Sequence, residues 1–205
     1  MKSGVEFIHT GLYRKDLYMK EENLAWEEIS TEHIIQDQWI DFRRSAYRFP
    51  NGEIWQPYYS FTRRNYAVIV ASDEEGRYIC VRQFRQGIRQ VTTEFPAGAI
   101  EEKDGTDPKE AALRAAQREL REETGYVSDD WIPLLTIPSS ATISDNYAWL
   151  FAARNCRKVT GQDLDPMELL RIQTHSAEEI DQMLADGGFQ QSVHALAWLL
   201  YKQQI

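Results

Sequence analysis

The order of hydrophobic and polar positions predicts strands in the first third of the chain. Apolar and polar residues alternate over 26–36, 39–49 and 54–63, with many β-branched and aromatic side chains. A Pro50-Asn51-Gly52 turn separates the second stretch from the third. This pattern is typical of an antiparallel meander. Three such strands bury little apolar surface alone, so we expect them to pack on the main domain or on a second subunit.

The remainder of the chain alternates between strand and helix patterns. Residues 66–72 and 77–84 are continuous apolar stretches around an Asp73–Gly76 turn, which predicts a hairpin in a buried sheet. Further strands are predicted over 131–138, 146–156 and 168–175. Two helices close the chain: one opens at Ser176 and runs to Gly187, and the other covers 190–203 with a packing stripe of Val193, Leu196, Ala197 and Leu200. This order predicts the α/β class, a sandwich with a mixed sheet preceded by a small antiparallel β domain.

A helix between the two groups of strands has clear start and stop signals. Asp107 suits the N-cap, Pro108 the first helical position, and Glu110 completes a capping-box pattern. Gly125 is a left-handed stop. An apolar stripe at helical spacing predicts the buried face, and its members are Ala112, Leu113, Ala116 and Leu120.

The last two turns of this helix crowd three carboxylates, those of Glu119, Glu122 and Glu123. Positions i, i+3 and i+4 share a helix face, where like charges oppose folding by roughly 0.2–0.5 kcal/mol per pair. A hard divalent cation removes that repulsion, and Mg2+ prefers a few carboxylate oxygens together with water and substrate phosphates. Arg118, four residues before Glu122, can hold that carboxylate in place. The cluster therefore predicts a Mg2+ site, whereas a merely solvated acidic face would bind no metal.

Composition and charge narrow the function classes. The 205 residues carry a net charge of −9, which argues against a nucleic-acid partner because phosphate backbones are met by clustered Lys and Arg. No apolar run approaches the ~20 residues of a membrane span, and we expect no membrane partner. The N-terminus lacks a signal-peptide pattern, and the only cysteines, Cys80 and Cys156, lie in apolar segments as expected of buried free thiols. We therefore expect a cytoplasmic protein.

Residues 118–126 resemble the second half of the Nudix hydrolase box, R-E-U-x-E-E-x-G-U, in which U is a bulky apolar residue. The first half admits two alignments. Counting back seven free positions reaches Glu110, but then Asp104 stands at the glycine position, with Gly105 one step later. Taking Gly98 as the box glycine adds six residues to the loop, and we prefer it because the turn resembles that of ADP-ribose pyrophosphatases. Glu110 is then a cap and no metal ligand.

The resemblance implies a set of site residues. Two or three Mg2+ ions, with Mn2+ as an alternative, would be held by the carbonyl of Ala97 and by Glu119, Glu122 and Glu123. The V-R-Q-F-R segment and the residue before the turn are similar to the family's substrate contacts, which implicates Arg82, Arg85 and Glu94. The family also places a catalytic glutamate on the loop before a late strand, for which Glu168 is the preferred match, with Asp165 and Asp163 behind it.

The implied activity is hydrolysis of the diphosphate bond of a nucleoside diphosphate-sugar. We expect ADP-ribose, cleaved to AMP and ribose 5-phosphate, with GDP-mannose or ADP-glucose as alternative substrates and a non-catalytic nucleotide sensor as a different class. Catalysis would rest on Glu119, Glu122 and Glu168. A base needs an aromatic shelf, and we name Trp26, with Trp39 and Trp55 as alternatives. By the same resemblance, the chain divides into an arm (1–25), a dimerisation-type β subdomain (26–63) and a Nudix domain (64–205), and we expect a homodimer.

Overall fold

The computed structural model describes residues 23–204, and the predicted N-terminal arm lies outside the described residues as far as residue 22. The first described elements are the strands β1 (Glu27–Gln36), β2 (Asp41–Arg48) and β3 (Ile54–Thr62), which form a three-stranded antiparallel sheet in that order. The predicted meander is therefore confirmed. We call this sheet the small sheet.

The second sheet is larger and mixed. Its central strand β4 pairs parallel with β10 on one side and antiparallel with β5 and β7 on the other. Around them, β11 and β6 pair with β5, while β8 and β9 pair with β10. The strands are β4 (Tyr66–Asp73), β5 (Tyr78–Arg85), β6 (Gln90–Glu94), β7 (Ala97–Ala99), β8 (Tyr126–Val127), β9 (Asp130–Pro138), β10 (Tyr147–Lys158) and β11 (Leu170–His175).

Helices cover both faces of this sheet. Helix α1 (Pro108–Thr124) packs its predicted stripe of Ala112, Ala116 and Leu120 on one face, and α2 (Ala177–Ala185) and α3 (Ser192–Lys202) pack on the other. Each strand of the centre alternates its side chains between two buried clusters, because neighbouring residues of a strand point to opposite faces. The predicted α/β/α sandwich with a mixed sheet is confirmed. Within residues 23–204, no helix combines the length and apolar character that crossing a membrane requires.

The packing stripe of α3 differs from the one predicted. Val193, Leu196 and Leu200 are only partly buried, whereas Trp198 and Tyr201 lie in the core with Ala197. Trp198 Nε1 donates to Asp181 at 2.8 Å, so its polar end is satisfied while its ring is fully buried. The predicted residues do pack against the core, and the prediction missed only the two aromatic residues that are buried most deeply.

The small sheet joins the main domain through the loop between β9 and β10. Phe61 N donates to Ile143 O at 2.8 Å, and the Tyr58 hydroxyl donates to the carbonyl of Thr142. Asp145 accepts from Arg43 at 3.0 Å and from Thr62 at 2.6 Å. This hydroxyl-rich loop therefore has a clear structural role as the attachment point of the small sheet.

Candidate active site

The acidic end of α1 faces the turn that precedes and includes β7. The Glu119 side chain is only 10% exposed and Glu123 is 3% exposed, so both carboxylates are buried. Glu123 Oε2 accepts from the Ala97 N–H at 3.1 Å. A Cβ atom added to Gly98 would lie 2.0 Å from Cδ of Glu119, which shows how closely the backbone approaches this carboxyl group. Only glycine leaves room for Glu119 there.

The backbone of β7 directs alternate carbonyls toward this helix. Ile69 N donates to Pro96 O and Ile100 N donates to Asn65 O, so residues 96 and 100 are bonded toward β4. In an antiparallel pair, the intervening residues point their N–H and C=O groups the other way. Accordingly, Ala99 O accepts from Arg118 at 2.8 Å, and Ala97 presents its N–H to Glu123. The carbonyl of Ala97 therefore faces the same side as the buried carboxylates.

Arg118 organises the carboxylates from one side. Its NH1 donates to Glu119 Oε1 at 2.6 Å and to Glu122 Oε2 at 2.9 Å, so the predicted contact with Glu122 is present. Its other nitrogens donate to both carboxylate oxygens of Asp104 at 3.0 Å. Glu122 remains 35% exposed at the edge of the cluster. The structure thus separates a buried pair, Glu119 and Glu123, from a peripheral Glu122.

Asp104 explains the expanded loop before α1. A 3₁₀ turn over Glu102–Asp104 buries this aspartate, and its Oδ2 also accepts from the Glu101 N–H at 2.8 Å. Sequence patterns assigned no role to this loop, since one alignment placed Asp104 only where the family has a glycine. The contact between Arg118 and Asp104, which lies 14 residues earlier, forms only because the loop folds back onto α1.

Glu110 lies at the opposite end of α1 from the acidic pair. Its side chain is 66% exposed and its Oε2 accepts from Arg114 at 2.7 Å. Asp107 is the N-cap as predicted, accepting from the N–H groups of Lys109 and Glu110. The reciprocal bond expected of a capping box is absent in α1, because Arg114 engages the Glu110 carboxylate instead. The position of Glu110, far from the acidic pair, agrees with the alignment that makes Gly98 the box glycine.

Burial raises the pKa values of both carboxylates of the pair. Burial raises the pKa of Glu119 to about 7; attraction to Arg118 opposes the rise, and the charges of Glu122 and Glu168 add to it. Burial, followed by the charge of Glu119, raises the pKa of Glu123 well above its ordinary value. Two buried carboxylates close together are costly as anions unless a cation compensates them.

A divalent cation fits this donor set. Within residues 23–204, no three acidic, histidine or cysteine side chains converge at ligand distance, so the protein offers a partial set. Two carboxylates and a main-chain carbonyl suit Mg2+, which usually keeps several waters and accepts substrate phosphates. The residues that would hold it are Glu119, Glu123 and the carbonyl of Ala97, with Glu122 at the periphery.

Glu168 lies close enough to the acidic pair for its charge to raise the pKa values of Glu119 and Glu123. It belongs to the loop between β10 and β11, where its N–H donates to Asp165 O at 2.8 Å and its carboxylate accepts from Asp165 N at 3.2 Å. Its neighbours Met167 and Leu169 are 96% and 88% exposed. The loop thus holds an acidic side chain beside the cluster on a segment with little packing of its own.

Arg85, whose side chain is 34% exposed, pairs with the fully buried Glu94 next to the turn. Arg85 Nε and NH2 donate to the two oxygens of Glu94 at 2.9 and 2.5 Å, and the Thr92 hydroxyl and Gln191 also donate to this carboxylate. Burial acts to raise the pKa of Glu94, but these hydrogen bonds hold that pKa below its ordinary value. Burial lowers the pKa of the neighbouring His194 to about 4, so this histidine is neutral and structural at pH 7.

The predicted substrate contacts are thus of two kinds. Arg85 is committed to Glu94, while Arg82 is exposed on β5 opposite Thr93 of β6 and Arg171 of β11. Sequence reasoning treated the two arginines as equivalent and did not foresee the internal pair. Their contact with substrate stays a prediction.

Trp26 belongs to an aromatic cluster on the small sheet. Its ring centroid lies 4.5 Å from that of Phe49 and 5.9 Å from those of Tyr47 and Tyr58. These are its aromatic contacts among residues 23–204, and none of them is to the acidic end of α1. Trp39 and Trp55 are more open, at 69% and 55% exposure. A role of Trp26 in base stacking stays a prediction.

Comparison with known proteins identifies the family. The NUDIX domain profile matches residues 62–199, and the chain therefore belongs to the Nudix family. The family assignment and the predicted enzyme class, a Nudix hydrolase, are confirmed. Members of this family generally require a divalent metal cation.

Individual relatives and a solved structure agree with this assignment. The chain is 28% identical over 159 residues to "ADP-ribose pyrophosphatase" of Bacillus subtilis (strain 168), covering 77% of this chain and 82% of the relative. It is 36% identical over 107 residues to "ADP-sugar pyrophosphatase" of Mus musculus, covering 47% and 46%. A crystal structure of an "ADP compounds hydrolase" superposes with a TM-score of 0.75 at 20% identity, covering 90% of this chain and 96% of that one, which supports the fold. The two relatives support nucleotide-sugar diphosphate hydrolysis as the general activity.

Proposed function

We propose that this protein hydrolyses the diphosphate bond of ADP-ribose in the presence of Mg2+, giving AMP and ribose 5-phosphate, with Mn2+ as an alternative cation. The observation that carries the proposal is the buried Glu119 and Glu123 pair facing the Ala97 turn, because two carboxylates buried this closely are compensated well by a cation. Two relatives are named as pyrophosphatases of ADP-ribose and of ADP-sugars, which supports this substrate class.

In this proposal, different residues of the chain bind the cation, hold its ligands in place and accept a proton. Glu119, Glu123 and the carbonyl of Ala97 would hold the cation, and Arg118 fixes Glu122 beside them. When bound, a divalent cation neutralises diphosphate charge and lowers the pKa of water. The oxygen of a water bonds to one phosphorus, its proton passes to Glu168 or to a box glutamate, and the bridging P–O bond breaks. The leaving phosphate oxygen takes the electron pair of that bond.

Substrate recognition in this proposal uses two arginines: Arg82, which is exposed, and Arg85, which is held in an ion pair. Arg82 is exposed on the strand that leads to the turn, where its planar fork can bind phosphate oxygens bidentately. Arg85 acts through Glu94, whose position immediately before Phe95-Pro96-Ala97 sets the start of the turn. The base would stack on an aromatic side chain of the small sheet, for which Trp26, Trp39 and Trp55 are the candidates.

We also propose that the protein is a homodimer joined through the small sheet. Several large apolar side chains of this sheet and its turns are about half exposed or more, including Trp39, Ile54 and Trp55. Exposed apolar side chains of this size on one small sheet make it the candidate interaction surface of this domain. A second copy is the partner that would also bring these aromatic side chains toward another active site.

A substrate panel tests the activity. Purified protein is incubated with Mg2+ and ADP-ribose, ADP-glucose or GDP-mannose, and the nucleoside monophosphate released is measured by chromatography. The proposal requires AMP and ribose 5-phosphate from ADP-ribose with the highest kcat/KM of the panel. A higher kcat/KM for GDP-mannose would replace the proposed substrate, and no release from any member would reject the enzymatic proposal for these sugars.

A further inference from the structure

The C-terminal end of α1 is capped by a distant part of the chain. Residues 159–163, which we call the capping segment, follow β10 and lie over the last turn of the helix. Gln162 Nε2 donates to the carbonyl of Glu123 at 2.7 Å, and Asp163 N donates to the carbonyl of Glu122 at 2.8 Å. The last carbonyls of a helix have no partner within it, so these bonds satisfy groups that would otherwise face solvent.

Gly125 permits this close contact. Its carbonyl accepts from Val159 N at 2.9 Å and from Thr160 N at 3.3 Å. A Cβ atom at Gly125 would lie 2.1 Å from the carbonyl oxygen of Thr160, so any larger residue would push the capping segment away from the helix. The glycine that ends the helix is therefore also the place where the two segments meet.

The capped carbonyls belong to residues of the acidic cluster, and the chain continues from the capping segment into the loop that carries Glu168. Gln162 is six positions before Glu168, with Asp165 bonded to Glu168 in between. One side-chain amide therefore connects the backbone of Glu123 to the base of the acidic loop. The Gln162 side chain is the one member of this connection that can be replaced without altering the backbone.

We propose that Gln162 is a positioning residue that fixes the buried carboxylate of Glu123 and the loop carrying Glu168 relative to each other. The proposal rests on the proposed function for its effect on catalysis, while its structural part concerns only this chain's own contacts. Groups that orient a metal ligand from behind typically change metal affinity or activity by about 10–100-fold when removed. Because Gln162 bonds the ligand's backbone and not its carboxylate, we expect an effect of about tenfold, at the low end of that range.

Three variants separate the hydrogen bond from size and charge. Gln162→Met keeps the length and the neutral charge but has no donor, and Gln162→Glu removes the donor and places an anion at the negative end of the helix. Gln162→Lys restores a donor with a charge that the helix end favours. Gln203→Met serves as the matched control, since Gln203 is exposed just beyond α3.

The test reads three quantities for each variant. Hydrogen–deuterium exchange follows the amides of 162–168, a Mg2+ titration of the melting temperature gives the metal affinity without substrate, and kinetics with ADP-ribose give kcat and KM. We expect Gln162→Met to raise the Mg2+ concentration at half-effect about tenfold and to accelerate exchange in 162–168, with exchange in β4 unchanged. In the kinetics, Gln162→Met should lower kcat by a larger factor than it changes KM. Gln162→Glu should be affected more strongly in all three measurements, and Gln162→Lys should stay close to wild type.

A Gln162→Met protein within about twofold of wild type in Mg2+ titration and exchange would overturn the proposal. A uniform acceleration of exchange that includes β4 would also overturn it, because it would show a general loss of stability instead of local positioning. Since exchange and melting need no substrate, an enzyme inactive on every nucleotide sugar would reject the proposed function and leave this test valid.

Discussion

The acidic end of α1 and the small sheet contain opposite kinds of unfavourable feature. At the helix, Glu119 and Glu123 are acidic groups kept from water. On the small sheet, Ile54 and Trp55 are apolar groups kept in water, each 55% exposed. Both features are costly in the isolated chain, the first through desolvation of charge and the second through exposure of apolar surface. In our proposals, a cation would offset the first cost and an apolar surface of a second copy would offset the second.

The two regions also differ in how their polar groups are held. Around α1, Arg118 binds four acceptors, and the cluster is fixed from several elements at once. On the small sheet, the ion pairs of Arg44 with Glu32 and of Arg48 with Glu27 join exposed side chains of neighbouring strands. Exposed pairs of that kind stabilise little, with typical values of about 0–1 kcal/mol. The helix region is therefore positioned for chemistry, whereas the sheet is available for association.

The largest expected effect comes from removing a buried carboxylate. Glu123→Gln should lower kcat/KM by at least about 100-fold, because an electrostatic contact to the reacting centre is lost. In the absence of metal the same change should alter the melting temperature little, because burial raises the pKa of Glu123 and so already favours its neutral form, which glutamine resembles. Activity assays and thermal melts check both parts.

The matched control is Glu110→Gln on the exposed start of the same helix, which should leave activity unchanged. Full activity of Glu123→Gln, with the control also active, would remove Glu123 from the metal site.

A smaller effect is expected for the association of the small sheet. Ile54→Glu should weaken the dimer by about 30-fold or more, because a charge would be buried against apolar surface at a contact worth about 2 kcal/mol. Sedimentation equilibrium over a range of protein concentrations measures the dissociation constant.

Ile88→Glu is the matched control, since Ile88 is 51% exposed in the turn between β5 and β6. If both variants dimerise as the wild type does, or if the wild type is a monomer, the small sheet is not the interface.

The pH dependence of metal binding distinguishes the two regions further. The pKa of Glu119 is raised to about 7, so its protonated form contributes stability that is present at low pH and is lost as the pH rises through about 7. A cation binds the deprotonated form and competes with that proton. The Mg2+ affinity should therefore weaken by at least about tenfold for each pH unit below 7, since Glu123 also has a raised pKa and loses a proton to the same cation.

Thermal melts with and without Mg2+ between about pH 5.5 and 8 measure this linkage. The Mg2+-induced rise in melting temperature should be larger at the alkaline end. A rise that does not change with pH would contradict the raised pKa of Glu119. The small sheet should show no comparable dependence on metal.

The smallest expected effect concerns the ion pair between Arg118 and Asp104. Asp104→Asn should lower the free energy of unfolding by about 1 kcal/mol, because it weakens a buried charge-assisted hydrogen bond without leaving the arginine wholly unpaired. Urea unfolding measures the change.

Asp129→Asn is the control, as Asp129 forms an ion pair with Arg157 while its side chain is 85% exposed. Equal effects of the two substitutions would show that burial of Asp104 does not matter.

Sequence patterns of short range were sufficient for much of the fold. The bounds of α1 followed from Asp107, Pro108 and Gly125, whose roles depend on their own dihedral angles and nearest backbone groups. Short strands at β6, β7 and β8 were not predicted, because they have too few residues to show a period. The burial of Trp198 on the packing face of α3 was not predicted, since its polar end is satisfied by Asp181 in another helix.

For the candidate site, the sequence by itself determined the acidic residues on one helix and the turn with Gly98, because both are local patterns with fixed spacing. Only the tertiary structure decided that Glu119 and Glu123 form the buried pair, that Arg85 is committed to Glu94, and that Asp104 and Gln162 hold the cluster from either side. These contacts join residues between 9 and 39 positions apart. Local propensity cannot specify them, since they depend on how the strands and loops place side chains in space.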